Sequence, residues 1–274
     1  MVQTLSYARL ESRALIALGG ADWRDFLHNL ISQNVETLAE GEIRFGALLT
    51  PQGKVLYDLF VIGTAEGCWL DVAAQHRDVI VQRLMIYRLR AKVTITAIEP
   101  GVAALFGEDL APGDGCLADP RLPALGWRGY GLASPNGASE VPEADYVAFA
   151  HALGVPVAAD WGVEKTYPIE ANFDLLNGID FKKGCFVGQE TTSRMKRRGT
   201  VKTRFLPITF EGEMPPPGAE VLAGELRAGE VLSGAKGLAM ASLRLDRIAG
   251  AELTVDGRPV RVVRPDWFER ALEP

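Results

Sequence analysis

From Val201 onward the chain breaks into short β-like runs, FLPITFEG, AEVLAGELRAGEVLSGAKG, LAMASLRL, AELTVDG and RPVRVVRP, separated by glycines and by the PPPG of residues 215–218. Runs this short, punctuated this often, are the pattern of a small β-barrel. The expected division is therefore residues 1–200 and residues 201–274. The first 200 residues have another texture. Ala14 to Leu18 reads as a buried strand. The following GGADWRDFLHNLIS places Trp23, Phe26, Leu27, Leu30 and Ile31 at helical spacing behind Asp22, an expected N-cap. Phe45 to Gly63 gives two β-rich runs around Pro51-Gln52-Gly53, a hairpin signal, and CWLDV continues as a third strand. Asp78 to Leu89 is an amphipathic helix, KVTITAI alternates as a strand, and VAALFG is another apolar strand. Residues 107–143 read mostly as loops with short strands, and Glu143 to Leu153 as a helix that stops at Gly154. GVPVAADWGVEKTYPIEANF is expected to be irregular. This mixture makes the fold class α+β, the first 200 residues forming two intertwined subdomains.

At 274 residues the chain can bury roughly 75% of the surface its unfolded form would expose, so it needs no disulfide staples. Cys68, Cys116 and Cys185 are odd in number and make no CxxC pair, which suggests a reducing compartment. His28, His76 and His151 fit no zinc-ligand spacing, and no metal site is expected. There is no GxxxxGK[ST], GxGxxG, HExxH or GxSxG motif. The N-terminus does not look like a signal peptide, and no run of about 18 apolar residues could span a membrane. Those readings lead to a cytoplasmic protein. The net charge of −6 makes nucleic acid an unlikely partner.

Against that acidic background stands FKKGCFVGQETTSRMKRRGT, residues 181–200. Lys182, Lys183, Arg194, Lys196, Arg197, Arg198, Lys202 and Arg204 put eight cations within 23 residues. Nearby cations favour thiolate over thiol, so Cys185 is a candidate reactive group. The alternative is a small buried cysteine on a turn, with the cations facing water.

KGCFVGQE resembles the K-G-C-aromatic-x-G-Q-E signature of the YgfZ family of folate-binding proteins, which includes a bacterial protein linked to tRNA modification and a mitochondrial iron–sulfur assembly factor. The resemblance extends through YPIEANFDLLNGIDFKKGC upstream. FLHNLISQNVETLAEGEIRFGALLTPQGKVLYDLFVIG is similar to the first segment that this family shares with the glycine cleavage T-protein, an aminomethyltransferase. The resemblance implies a T-protein-like multidomain body around a central cavity for tetrahydrofolate, closed by a C-terminal β-barrel. It implies Cys185 and Asp58 as catalytic candidates. Asp58 closes the LYD segment in which T-proteins carry an aspartate. It implies Tyr146, Glu170, Gln189, Arg194 and Arg198 as folate-binding candidates. Tyr146 stands where a relative has a tryptophan, and Arg194 and Arg198 would meet the tail carboxylates. Three departures stand out. Arg13 replaces the family's other tryptophan, Phe186 replaces a tyrosine, and Ala152 takes the place of the T-protein glutamate that grips the pterin. The implied function is a folate-binding accessory protein for iron–sulfur cluster assembly or repair, its partners being cluster-containing clients or assembly proteins. The alternatives are folate-dependent one-carbon transfer and a tRNA-modification factor.

Overall fold

The computed structural model describes residues 5–107, 115–199, 201–235 and 237–272. Its C-terminal part is a closed six-stranded barrel in the order Thr203–Phe210, Leu238–Arg244, Leu226–Ala235, Glu220–Ala223, Leu253–Val255 and Arg258–Val262. Closure comes from the first strand, which pairs with both Leu238–Arg244 and Arg258–Val262. Inward positions carry Leu206, Ile208, Val221, Val231, Ala241, Leu243 and Val255, and Phe268 of the helix Asp266–Leu272 joins them. Each such burial contributes about 1.5–3 kcal/mol for the larger side chains.

The preceding residues build two five-stranded sheets. One runs Ile43–Leu49, Val55–Thr64, Gly67–Ala73, Arg13–Gly19 and Thr94–Ile98, all antiparallel. The other runs Ser139–Glu140, Ser6–Arg9, Val102–Phe106, Trp127–Tyr130 and Cys116–Ala118. Helix Arg77–Arg88 packs on the first sheet through Ile80 and Leu84. Helix Glu143–Ala152 ends at Gly154, whose φ of 77° is the left-handed conformation that glycine allows. Asp22 occupies the N-cap position of its helix as expected, but its side chain makes no capping hydrogen bond. Its Oδ2 instead accepts the Lys92 N–H at 2.7 Å, tying the Trp23–His28 helix to the entry of the edge strand. That helix stops at His28, although the apolar spacing continues to Ile31, because Ile31 pairs with Leu48 as a β-bridge.

The expected hairpin forms, and it carries the signature loop. Gly53 adopts φ 85° in the turn, and Gly188 adopts φ 83° directly against it. A Cβ on Gly188 would lie 2.7 Å from the Thr50 carbonyl oxygen, and one on Gly53 would lie 3.1 Å from the Gly188 carbonyl oxygen. Only glycine at both positions permits this approach. Helix Gln189–Arg198 starts at that glycine and ends at Gly199 (φ 63°), with Lys196, Arg197 and Arg198 complementing the negative end of its dipole.

The barrel is fastened to the body by its first strand. Phe205 N–H donates to the Glu170 carbonyl at 2.9 Å, and Asn172 Nδ2 donates to the Phe205 carbonyl at 2.7 Å. Arg204, read from sequence as part of the cation cluster, is buried. Its Nη1 donates to Asp174 Oδ1 and to the Ile169 carbonyl, both at 2.6 Å. Arg204→Ala would leave the nearly inaccessible Asp174 with Lys196 at 3.7 Å as its remaining cation. The expected loss is about 3–5 kcal/mol, read as a lowered urea midpoint at unchanged slope. A loss below about 1 kcal/mol would contradict the fastening role.

Candidate functional site

Where the two sheets, the Glu143–Ala152 helix and the barrel converge, a cavity of about 910 Å³ opens. Ligand pockets typically span about 300–1,000 Å³. Arg13, Asp58, Phe60, Arg121 and Arg128 line one side, Tyr146, Val147 and His151 a second, and Trp161 with Gly234, Ala235 and Leu238 of the barrel hairpin a third.

The floor is a buried network of three arginines and three aspartates drawn from both sheets and from the connection between Cys116–Ala118 and Trp127–Tyr130. Arg13 Nε donates to Asp71 Oδ1 at 2.6 Å, its Nη1 to Asp58 Oδ2 at 2.7 Å, and its Nη2 to the Asp71 carbonyl at 2.7 Å. Arg128, from the other sheet, donates to Asp71 Oδ2 through Nε and Nη2. Arg121 forks onto Asp119 at 3.0 and 2.8 Å and donates to the Tyr146 hydroxyl oxygen at 2.9 Å. Phe60 lies beneath all three guanidinium groups, with ring-centre distances of 3.9 Å to Arg128, 5.0 Å to Arg121 and 5.5 Å to Arg13. Burial would lift the Asp71 carboxyl, but Arg128 and Arg13 overcome it and hold the group below the usual carboxylate range. Burial likewise lifts the Asp119 carboxyl, and Arg121 and then Arg128 outweigh that lift and hold the group below the usual carboxylate range. Burial, with Asp119 adding to it, raises the Tyr146 phenol despite Arg121, so its hydroxyl stays neutral.

A second cluster holds the walls together. His151 Nε2 lies 3.1 Å from Asp160 Oδ2, which also accepts the Val157 N–H at 2.8 Å, while Asp160 Oδ1 accepts the Ser233 hydroxyl at 2.6 Å. One carboxylate thus joins the Glu143–Ala152 helix, the short helix Ala158–Trp161 and the barrel strand Leu226–Ala235. At the rim, Ser12 donates to Glu143 through its N–H, at 3.1 Å, and through its hydroxyl.

Of the seven catalytic and folate-binding candidates named from sequence, Asp58 and Tyr146 line this cavity and the others do not. Asp58 is paired with Arg13, accepting from its Nη1 through Oδ2 at 2.7 Å. Glu170 turns back on its own segment and accepts the Tyr167 N–H at 3.0 Å, and burial raises its carboxyl. Cys185 is exposed on the signature loop, outside the cavity. Gln189 donates to the Gly184 carbonyl at 3.5 Å, bracing that loop. Arg194 and Arg198 are exposed on the helix that follows, Arg194 lying 4.0 Å from Glu190. The cations that the sequence places near Cys185 divide into two groups. Arg194, Lys196, Arg197, Arg198 and Lys202 face solvent, while Arg204 and Lys183 are interior fasteners. Lys183 Nζ donates to the His28, Ile31 and Gln33 carbonyls, closing the turn after the first helix, and burial pulls the ammonium down to about 8. Ala152 is exposed, and its neighbour His151 is the residue of that run on the cavity wall. Sequence reading missed Asp71, Asp119, Arg121, Arg128, Asp160 and Trp161.

A carboxylate held low in the folded state stabilises the protein above its unfolded pKa, near about 3.9, and that contribution is lost as pH falls through the folded value. Arg128→Met removes a partner of both Asp71 and Asp119. It should cost about 3–5 kcal/mol at neutral pH and move the acid-unfolding limb to higher pH, because Asp71 is no longer held as low. Urea melts from pH 7 down to pH 3 check this, and an acid limb matching the parent's would contradict it.

Residues 202–270 match the family described as CAF17, C-terminal beta-barrel domain. Along nearly its whole length the chain is similar to the mitochondrial iron–sulfur cluster assembly factor IBA57 of Mus musculus, with 30% identity over 97% of this chain and 86% of that protein. The mitochondrial IBA57 homologue of Pyricularia oryzae is 28% identical over 99% of this chain and 79% of its own length. In three dimensions it resembles the glycine cleavage aminomethyltransferase T of Bartonella henselae, with a TM-score of 0.76 over 97% of this chain and 86% of that one, at 18% identity, a likeness of fold alone. The cytoplasmic expectation is overturned, since the relatives are mitochondrial proteins by name and point to that compartment. An odd number of cysteines without a CxxC pair, and a sequence with no long apolar run, do not distinguish one reducing compartment from another. With the barrel, the body and the signature all accounted for, the chain belongs to the IBA57 family of iron–sulfur cluster assembly factors, built on an aminomethyltransferase-like fold.

Proposed function

We propose that this protein supports assembly or repair of iron–sulfur clusters in client enzymes while holding a reduced folate in its cavity, and that Cys185 is the thiol presented to the sulfur or cluster in transit. The observation that carries the folate reading is the cavity itself, with aromatic and aliphatic walls over a floor whose charges are already paired. A pterin is a flat ring with N–H donors along one edge. Phe60, Tyr146 and Trp161 offer faces and edges for it. Asp58, bonded by Arg13 through Oδ2, keeps acceptor capacity for a ring N–H. The exposed thiol lies apart from this chamber, so client contact and folate binding use different surfaces.

One-carbon transfer fits less well. A base must accept a proton from the reacting centre, and a carboxylate engaged by a guanidinium at 2.7 Å is poorly disposed to do so. The exposed methyl of Ala152 supplies no acceptor either.

Titration with 5-formyltetrahydrofolate, followed by tryptophan fluorescence, tests the cavity through Trp161 in its wall. Saturable quenching is expected, weakened about tenfold by Asp58→Ala, roughly 1.4 kcal/mol, and unchanged by Arg198→Ala. Absence of saturable quenching in the parent protein would remove folate from the account. For the thiol, Cys185→Ser should bind the folate with parent affinity and melt at the parent temperature, yet fail to restore a cluster-containing client in cells lacking the protein. Full restoration by the Ser variant would dismiss the thiol role and leave the folate result standing.

A further inference from the structure

Seven large apolar side chains are exposed among the described residues, and five of them, Val79, Met85, Ile86, Tyr87 and Leu89, belong to helix Arg77–Arg88 and its C-cap. The inner side of this helix is satisfied by Ile80 and Leu84 in the core. Val79 and Ile86 are seven residues apart, and Met85 and Leu89 four apart, so they share the outer face. Ile86 is 72% and Leu89 87% exposed. Leu89 also sits at φ 44°, a backbone conformation that a leucine adopts only at a cost of about 1–3 kcal/mol. An exposed apolar side chain on a strained cap makes no contribution to folding that would offset this.

Beside the helix runs Thr94–Ile98, the last strand of its sheet. It pairs with Arg13–Gly19 on one side, and no described strand pairs with the other. Within the strand the sequence TITAI contains neither proline nor charge, the usual devices that block an open edge. The surroundings carry a definite sign. Between residues 77 and 99 there are five cations, Arg77, Arg83, Arg88, Arg90 and Lys92, against the two carboxylates Asp78 and Glu99, in a chain of net charge −6. Arg77 already contacts both of those carboxylates. Two copies of this face would bring like charges together, which disfavours self-pairing.

We infer that this helix face and open edge together form a docking surface for an acidic protein segment, which adds to the sheet as an extended strand and rests its apolar side chains on Ile86 and Leu89. The site depends on neither the cavity nor Cys185.

Two synthetic peptides test it, one alternating valine with glutamate and the other valine with lysine, each titrated against the full chain by fluorescence anisotropy. The glutamate peptide should bind at least about tenfold more tightly, lose affinity as salt is raised, and slow amide exchange across residues 94–98. Ile86→Glu, at a site too exposed to disturb folding, should abolish that binding while leaving the melting temperature unchanged. Equal affinity for both peptides, binding of neither, or binding that persists in Ile86→Glu would overturn the inference. A parent protein that sediments as a dimer and becomes monomeric on Ile86→Glu would assign the face to a second copy instead. Tighter binding to phosphatidylserine vesicles than to the glutamate peptide would assign it to a membrane.

Discussion

The carboxylate of Asp71 is the point on which the architecture turns. It lies in the interior, on the central strand Gly67–Ala73, and accepts a guanidinium from each sheet, Arg13 from the neighbouring strand and Arg128 from across the interface. Taking these charges out of water is expensive, and their mutual attraction returns little net stability. What the arrangement does supply is position. Arg128 can satisfy Asp71 only when the second sheet sits against the first, and Arg13 does so with its other arm on Asp58. The orientation of the two sheets, and hence the shape of the chamber between them and the barrel, follows from hydrogen bonds with fixed geometry.

The same network accounts for the chemical character of the cavity. A chamber lined by free carboxylates and free guanidinium groups would suit proton transfer. Here every charge on the floor has a partner, and the walls are joined by Asp160 through His151, Val157 and Ser233. Such a site presents fixed, mutually paired charges beneath its apolar walls. The thiol belongs elsewhere, on a loop seated on the hairpin turn at Gly53. From that turn, strand Val55–Thr64 runs into the cavity floor at Asp58, on the order of 17 Å further along an extended chain. One strand therefore links the two sites.

Much of this framework can be read locally. The barrel strands announce themselves by their glycine and proline breaks, the hairpin by Pro51-Gln52-Gly53, and the helix after Glu143 by its stop at Gly154. The signature loop is legible because its glycines are required by contact with the hairpin. The cavity floor is not legible, for a physical reason. Asp58, Asp71, Asp119, Arg121 and Arg128 come from separate strands and turns, and a charged residue in a strand gives no sign in one dimension of whether it meets water or another charge. Asp71 passed unnoticed inside CWLDV, and Asp119 to Arg128 fell in a stretch read mainly as loop. The error over the cations has the same origin. Lys183 and Arg204 look like members of a surface cluster in sequence, yet each is drawn inward by unsatisfied backbone carbonyls or a buried carboxylate. An open sheet edge is equally silent, since nothing in TITAI says that its far side lacks a neighbour.

The account's central claim is that a T-protein-like chamber has been retained for binding, with its aspartate held by Arg13. The most direct measurement is the consumption of 5,10-methylenetetrahydrofolate by the purified protein, with glycine cleavage aminomethyltransferase run alongside as the active reference. The account predicts saturable binding with consumption no faster than the protein-free rate. Sustained turnover that disappears in Asp58→Asn would contradict it, because it would mean that the Arg13–Asp58 pair opens to release a working base.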